Sequence, residues 1–229
     1  MVRTSLIILT RNEVSGMKAM LSRIPFTTVD EYFLVDYRST DGTVELARKH
    51  KIPVVAQRHP GRAEAFRIAA DNARGNYLIF FSPDGNEDPS DIPKIIRLLK
   101  KGNDLVIASR FLPGSRNEED GQTFKWRAWA NMGFTLLANL LFNRGRPYVT
   151  DSINGYRGIT KSAFGKLGLD AQGFAVEFQM TIRAMKAELA ITEFPTLEGP
   201  RIGGQSTSYA VPTGLKFVYY FLREIFIGV

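Results

Sequence analysis

GRAEAFRIAADNARGNYLIFFSPDGNEDPSDI, residues 61–92, contains the features that decide the fold. Residues 61–74 are predicted to form a helix, and the short apolar run 76–82 predicts a buried strand. The strand leads directly into a turn that contains Asp84, Asn86 and further acidic residues. This order of helix, strand and polar turn is typical of α/β proteins, which bind ligands at the carboxyl ends of their strands.

The same alternation extends along the first half of the chain. Apolar runs at 4–10, 31–37, 52–58 and 104–110 predict further strands, and the segments between them predict helices. Because the connections are short, the fold class predicted is α/β, with a mostly parallel central sheet and helices on both faces.

The second half is less regular. A long helix is predicted at about 124–143, a second helix near 175–187 and a strand at 190–198. A basic, glycine-rich loop follows at 199–206, and the aromatic-rich tail 212–229 is predicted to be helical. No internal repeat or low-complexity linker divides the chain, so we predict one domain that ends in amphipathic helices.

Composition excludes several classes of protein. The 229 residues include no cysteine, which rules out disulfides, zinc–thiolate sites and cysteine nucleophiles. The formal charge of +7 suits an anionic partner, but the basic residues are dispersed and no nucleic-acid motif is present, so we expect no nucleic acid. The longest uncharged apolar run, 128–142, is shorter than the roughly 20 residues of a membrane-spanning helix, and we expect none.

Polar side chains follow several of the predicted strands. Thr10, Asn12, Asp36, Asp84 and Arg110 all fall at predicted carboxyl ends, which meet at one edge of a parallel sheet. The chain has neither the phosphate-loop motif nor the dinucleotide fingerprint, which argues against ordinary kinases and nicotinamide enzymes.

Six segments, in order, resemble glycosyltransferase family 2, and most of all its dolichol- (polyprenyl-) phosphate mannosyltransferase and glucosyltransferase branch. The segments are TSLIILTRNE, FLVDYRSTDGT, residues 61–92, VIASRFLPGS, DSINGYRGITKSAF and RIGGQS. The resemblance implies a GT-A fold and inverting transfer of a hexose from GDP-mannose or UDP-glucose to a polyprenyl or dolichyl phosphate.

The resemblance also implies a division of labour within a single domain, 1–229. Residues 1–115 would bind the nucleotide-sugar, residues 116–210 the acceptor, and residues 211–229 would form a tail at the membrane interface. The apolar segments 128–142 and 214–229 suit either packing in the core or contact with a bilayer surface. The family implies peripheral membrane contact or a membrane partner subunit, at the cytoplasmic face of the membrane.

Substrate-binding residues follow from the same matches. The implied set comprises Thr10, Asn12, Glu13, Asp36, Ser39, Asp41, Ser82, Asn131, Arg157, Glu177 and Ser206. Tyr37 replaces one aspartate of the family pattern. For Arg157 a buried structural pair with Asp151 is an open alternative, and for Glu177 a charge at a helix start.

A divalent cation is implied beside Asp84. SPDGN, residues 82–86, stands where the family has Asp-x-Asp-x-Gln, so Asp84, Asn86 and Ser82 would bind Mg²⁺ or Mn²⁺. Ser82 supplies only a neutral hydroxyl in place of a carboxylate. The alternative is an acidic turn that caps the next helix.

Three arginines at motif positions complete the implied catalytic set of Asp84, Arg110, Arg127 and Arg201. An acceptor phosphate is already anionic, so the reaction requires cations that place it and no general base. Two alternatives stay open: a non-catalytic nucleotide-sugar-binding homologue, favoured by Ser82 and Tyr37, and a family 2 transferase with a saccharide acceptor.

Overall fold

The structure, a computed structural model, describes residues 3–121, 123–203 and 210–227. Seven strands form one sheet in the order β3-β2-β1-β4-β6-β5-β7. In chain order they are β1 Thr4–Thr10, β2 Glu31–Asp36, β3 Val54–Ala56, β4 Tyr77–Phe81, β5 Leu105–Ser109, β6 Arg157–Thr160 and β7 Ile191–Pro195. The predicted strands are all present, and both halves of the chain contribute to this one sheet.

The sheet is mostly parallel, as predicted. β1 pairs in parallel with β2 and β4, β2 with β3, and β5 with β7. β6 is the exception, since it lies antiparallel between β4 and β5. The sequence did not predict β6, because this four-residue strand contains Arg157 and Gly158 and has no apolar run that would identify it.

Helices cover both faces of the sheet. They are α1 Val14–Met20, α2 Thr43–Lys49, α3 Arg62–Asn72, α4 Ile92–Lys100, α5 Trp126–Phe142, α6 Lys161–Lys166, α7 Ala175–Lys186 and α8 Ala210–Phe226. β1 is buried along its whole length and supplies both layers of the core. Ile7 and Leu9 pack in the layer with α3, α5, α7 and α8, while Leu6 and Ile8 pack in the layer with α1 and α4.

The C-terminal helix α8 is fastened to the domain by a buried carboxylate. Glu224 is fully buried and accepts hydrogen bonds from Arg183 Nε at 2.9 Å and Gln179 Nε2 at 2.9 Å. Lys186 adds an ion pair at 3.1 Å. None of the helices within the described ranges is long and apolar enough to cross a bilayer.

Candidate active site

A cavity of about 1040 Å³ opens at the carboxyl edge of the sheet. Ends of β1, β4 and β5, the start of α3, helix α5 and the loop near Arg201 all contribute to its lining. The cavity contains many of the residues predicted for the site: Thr10, Glu13, Ser82, Asp84, Asn86, Arg110, Arg127, Asn131, Glu177 and Arg201.

The predicted residues of the second strand end lie beside the cavity and do not line it. Asp36 is buried and accepts hydrogen bonds from Thr10 Oγ1 at 2.9 Å and from the Ser39 backbone N–H at 2.9 Å. The Ser39 hydroxyl accepts from the Asn12 backbone N–H at 2.8 Å, and Asp41 accepts from the start of α1. These bonds hold the loops together, and nucleotide contact by Asn12, Asp36, Ser39 and Asp41 stays a prediction.

Arg157 is buried and does not line the cavity. Its side chain is fully buried and donates hydrogen bonds to the Glu177 carbonyl at 2.9 Å and to Thr181 Oγ1 at 3.1 Å, as well as to the Asn154 carbonyl. Burial lowers the pKa of Arg157 to about 10. Since its donors are taken up by the protein interior, Arg157 stabilises the fold, and substrate contact by Arg157 stays a prediction. Ser206 lies outside the described residues.

Arg110 is the true partner of Asp151. Two hydrogen bonds join them, from Nε at 2.7 Å and from Nη2 at 3.0 Å, a bidentate geometry that is strong for arginine and carboxylate. Burial disfavours ionisation of Asp151, but the charge and hydrogen bonds of Arg110 outweigh burial and lower its pKa. Glu198 lies 3.7 Å from the same guanidinium. Arg110 is thus rigidly held at the cavity wall.

Arg201 reaches back from the loop after β7 to the first and fourth strand ends. Its Nη1 donates to Asp84 Oδ2 at 2.7 Å, and its Nη2 pairs with Glu13. Burial, together with the nearby Asp84 charge, raises the pKa of Glu13 to about 7 although Arg201 opposes the shift. The catalytic residues predicted at 84 and 201 are therefore in direct contact.

Arg127 and Asn131 reach the cavity from α5, one helical turn apart. The Arg127 side chain is 49% exposed and pairs with Glu118 at 2.9 Å. Because Arg127 is the most exposed of the three predicted catalytic arginines, it is the one most accessible to a ligand that enters from solvent.

Arg62 is a site residue that the sequence analysis missed. It is the first residue of α3, directly after Gly61, and lines the cavity. Its Nε pairs with the buried Glu177, and its Nη1 donates to Ser82 Oγ at 3.1 Å. Glu87 lies 4.0 Å away, and burial raises the pKa of Glu87 to about 8. An arginine at the start of a helix that follows a strand was the available signal in the sequence.

The donor set fits a divalent cation that brings most of its ligands with the substrate. Asp84 offers one carboxylate and Asn86 one amide, and one oxygen of the buried Glu177 carboxylate has no hydrogen-bond partner. The third predicted ligand, Ser82, already accepts a hydrogen bond from Arg62 Nη1 through its hydroxyl. In the described part of the chain no group of three or more histidine, aspartate or glutamate residues could hold a metal by itself.

The mostly parallel sheet, with its charged cavity at the carboxyl edge, belongs to the class of glycosyltransferases of GT-A fold, which solved structures of that class match. Within that class the chain belongs to glycosyl transferase family 2, whose profile matches residues 5–168. The family and the fold predicted from the sequence are thereby confirmed.

Two curated relatives align with most of this chain at modest sequence identity. The chain is 28% identical to glycosyltransferase AglJ of Haloferax volcanii over 205 residues, which cover 87% of this chain and 64% of AglJ. It is 25% identical to the dolichol-phosphate mannosyltransferase of Pyrococcus furiosus in an alignment 236 residues long, which covers 98% of this chain and 63% of that protein. The chain thus spans less than two thirds of the length of either relative.

Solved structures agree on the fold. Glucosyl-3-phosphoglycerate synthase from Mycobacterium tuberculosis, in complex with Mn²⁺, UDP-glucose and phosphoglyceric acid, superimposes with a TM-score of 0.76 at 20% identity. That match covers 100% of this chain and 81% of the synthase. At this identity the likeness supports the GT-A fold alone.

Proposed function

We propose that this chain transfers one hexose, with inversion, from a nucleotide-sugar to a polyprenyl or dolichyl phosphate, with GDP-mannose or UDP-glucose as the donor. One observation carries the proposal: Asp84 shares a single cavity with three arginines from separate parts of the chain, Arg110, Arg127 and Arg201. The name of one relative, the dolichol-phosphate mannosyltransferase of Pyrococcus furiosus, supports the same class of acceptor.

The reaction itself needs little from the protein beyond placement. An oxygen of the acceptor phosphate attacks the anomeric carbon, and the bond from that carbon to the donor's β-phosphate oxygen breaks. The electron pair stays on the leaving diphosphate. No proton has to be removed, because the attacking oxygen is already anionic. Arginines that hold two anions side by side therefore supply most of what catalysis requires.

A divalent cation, Mg²⁺ or Mn²⁺, belongs to this proposal. Asp84 and Asn86 would hold it, and when bound it would supply Lewis-acid stabilisation of the leaving diphosphate. Structures of the M. tuberculosis synthase contain Mn²⁺ or Mg²⁺, which supports metal use in the fold. Asp84 also has a structural role, since its carboxylate accepts a hydrogen bond from Arg201 Nη1.

The acceptor is a lipid, and two helices carry a surface suited to it. Large apolar side chains on α5 and α8 are exposed: Trp126, Trp129, Met132, Leu136, Leu137, Leu140, Leu141, Leu215, Val218, Tyr219, Leu222, Ile225 and Phe226. The helices pack together through Phe134–Phe217 and Phe142–Phe221, with ring centroids 5.7 and 5.8 Å apart. We propose that this apolar surface contacts the cytoplasmic face of a membrane, where polyprenyl phosphate is presented.

The test is a transfer assay with purified protein. Radiolabelled GDP-mannose or UDP-glucose is incubated with Mn²⁺ and a polyprenyl phosphate, and label is counted in the organic phase. Asp84→Ala should abolish transfer, whereas Asp71→Ala, a change at an exposed position of α3, should preserve it. Nucleotide-sugar binding without any transfer would support the non-catalytic alternative, and transfer to saccharides in place of lipid would support the other.

A further inference from the structure

Position 82 lies next to a cation that its own side chain does not neutralise. Ser82 is 8% exposed, and its hydroxyl accepts a hydrogen bond from Arg62 Nη1 at 3.1 Å. The family pattern places a carboxylate at this position, and a carboxylate at this distance from a guanidinium would form an ion pair with it. With serine the contact is neutral, so Arg62 pairs with the Glu177 carboxylate through Nε while its Nη1 end faces no carboxylate.

The remaining neighbours of Arg62 do not use that side. Glu177 pairs with Nε, on the opposite part of the guanidinium, and Glu87 lies 4.0 Å from Nη2. At that distance Glu87 makes no hydrogen bond with Arg62, and its carboxylate accepts instead from the Ser82 backbone N–H at 2.7 Å. The Arg62 side chain is 17% exposed and lines the cavity together with Asp84 and Arg201.

We infer that Arg62 binds the diphosphate of the nucleotide-sugar donor, and that Ser82 is the residue that leaves it available to do so. The inference rests on the proposed function for the identity of the donor and adds a residue and a specificity rule to that site. Arg62 would hold the leaving diphosphate as negative charge builds on its β-phosphate oxygen, while Asp84 would keep its role toward the metal and Arg201. The bonds that form and break in the transfer are those given above for the proposed function.

The two possible roles of Ser82 predict opposite effects of Ser82→Asp on donor binding. If serine were simply a weakened metal ligand, Ser82→Asp would restore a ligand and tighten donor binding in Mn²⁺. If serine keeps Arg62 free, Ser82→Asp captures the guanidinium and places an added negative charge near the diphosphate. Binding should then weaken both with and without metal. Ser82→Asn is the matched control, because asparagine has the size of aspartate without its charge.

The measurement is calorimetric titration of UDP and of GDP into the intact chain, in EDTA and again in Mn²⁺. A charge-assisted hydrogen bond contributes about tenfold or more in affinity, so Ser82→Asp should weaken binding of the preferred nucleotide by about that factor in both buffers. Ser82→Asn adds the same bulk without the charge and should weaken binding less than Ser82→Asp does. Arg62→Gln should weaken binding as Ser82→Asp does, and Arg62→Lys should recover part of the loss.

Folding is checked on each variant by circular dichroism and thermal unfolding, because Arg62→Gln leaves the buried Glu177 without its cation. Ser82→Asp retains that pair, so it tests the inference if Arg62→Gln fails to fold. Unchanged or tighter nucleotide binding by folded Ser82→Asp overturns the inference, and transfer by the wild type would show that the proposed function survives. Weaker binding by Ser82→Asp with no wild-type transfer to lipid would sustain the inference and reject the acceptor. A wild-type chain that binds neither nucleotide rejects both.

Discussion

Replacing Asp151 by asparagine should destabilise the protein more than any exposed charge change. Asp151 is fully buried and accepts two hydrogen bonds from the Arg110 guanidinium, one from the Arg110 backbone at 3.1 Å and one from the Asn154 backbone at 3.0 Å. Asparagine keeps the shape but turns one acceptor oxygen into a donor that faces other donors. It also removes the bidentate counter-charge of Arg110, whose side chain is 14% exposed, and leaves only the more distant Glu198 at 3.7 Å.

Loss of one partner from such a buried pair costs about 3–5 kcal/mol of the free energy of unfolding. Urea-induced unfolding, followed by circular dichroism at pH 7, measures this directly. Asp120→Asn is the matched control, since Asp120 forms a largely solvated pair with Lys125 at 3.0 Å and should cost less than about 1 kcal/mol. The same substitution at two sites thus separates burial from chemistry.

The lowered pKa of Asp151 determines how its contribution to the free energy of unfolding changes with pH. The folded-state pKa of Asp151 lies below the ordinary value of 3.8, so its stabilisation is fully present above that value and disappears as pH falls through the folded pKa. The difference between wild type and Asp151→Asn should accordingly be constant from pH 7 down to about pH 5 and shrink at lower pH. Equal destabilisation by the two variants, or a difference that grows on acidification, would refute the reasoning.

Other predictions follow from the packing of the second half. Glu224→Gln should weaken the attachment of α8 to Arg183, because it removes a buried counter-charge, and should speed backbone hydrogen exchange in α8 more than in the sheet. Leu140→Glu should lower association with anionic lipid vesicles in a flotation assay without lowering the melting temperature, while Leu197→Glu, an exposed leucine outside α5 and α8, should leave association unchanged. Arg157→Lys should lower the melting temperature but leave the donor KM of the folded protein within about twofold, since Arg157 is fully buried; a large rise in KM would restore it as a substrate-binding residue.

Strands could be predicted from the sequence wherever burial on both faces leaves a continuous apolar run. β1, with TSLIILT buried at all seven positions, is the clearest case. β6 fails this rule because Arg157 and Gly158 occupy its first two positions, although both are buried. The arginine is tolerated there because the carbonyl groups of Asn154 and Glu177 take up its donors, and Glu177 lies 20 residues away in the chain.

The candidate site divides along the same line. Residues at strand ends, such as Thr10, Asp84 and Arg110, could be placed near one another because parallel strands deliver their carboxyl ends to one edge. Pairing among charged residues could not be predicted. Asp151 lies six residues from Arg157 in the chain, yet it pairs with Arg110, which is 41 residues away.

The pairing of charged residues also bears on the chemistry. Carboxylates of the protein and the anions of the substrate compete for the same arginine donors. Arg110 forms an ion pair with Asp151, and Arg201 forms ion pairs with both Glu13 and Asp84. Arg62 has a carboxylate on Nε and a serine hydroxyl on Nη1. A carboxylate at position 82 would give Arg62 a second ion pair, through Nη1, beside the one with Glu177. The substitution that looks from the sequence like the loss of a metal ligand therefore also changes the charge available to a diphosphate, and the second effect follows from a contact that only the fold creates.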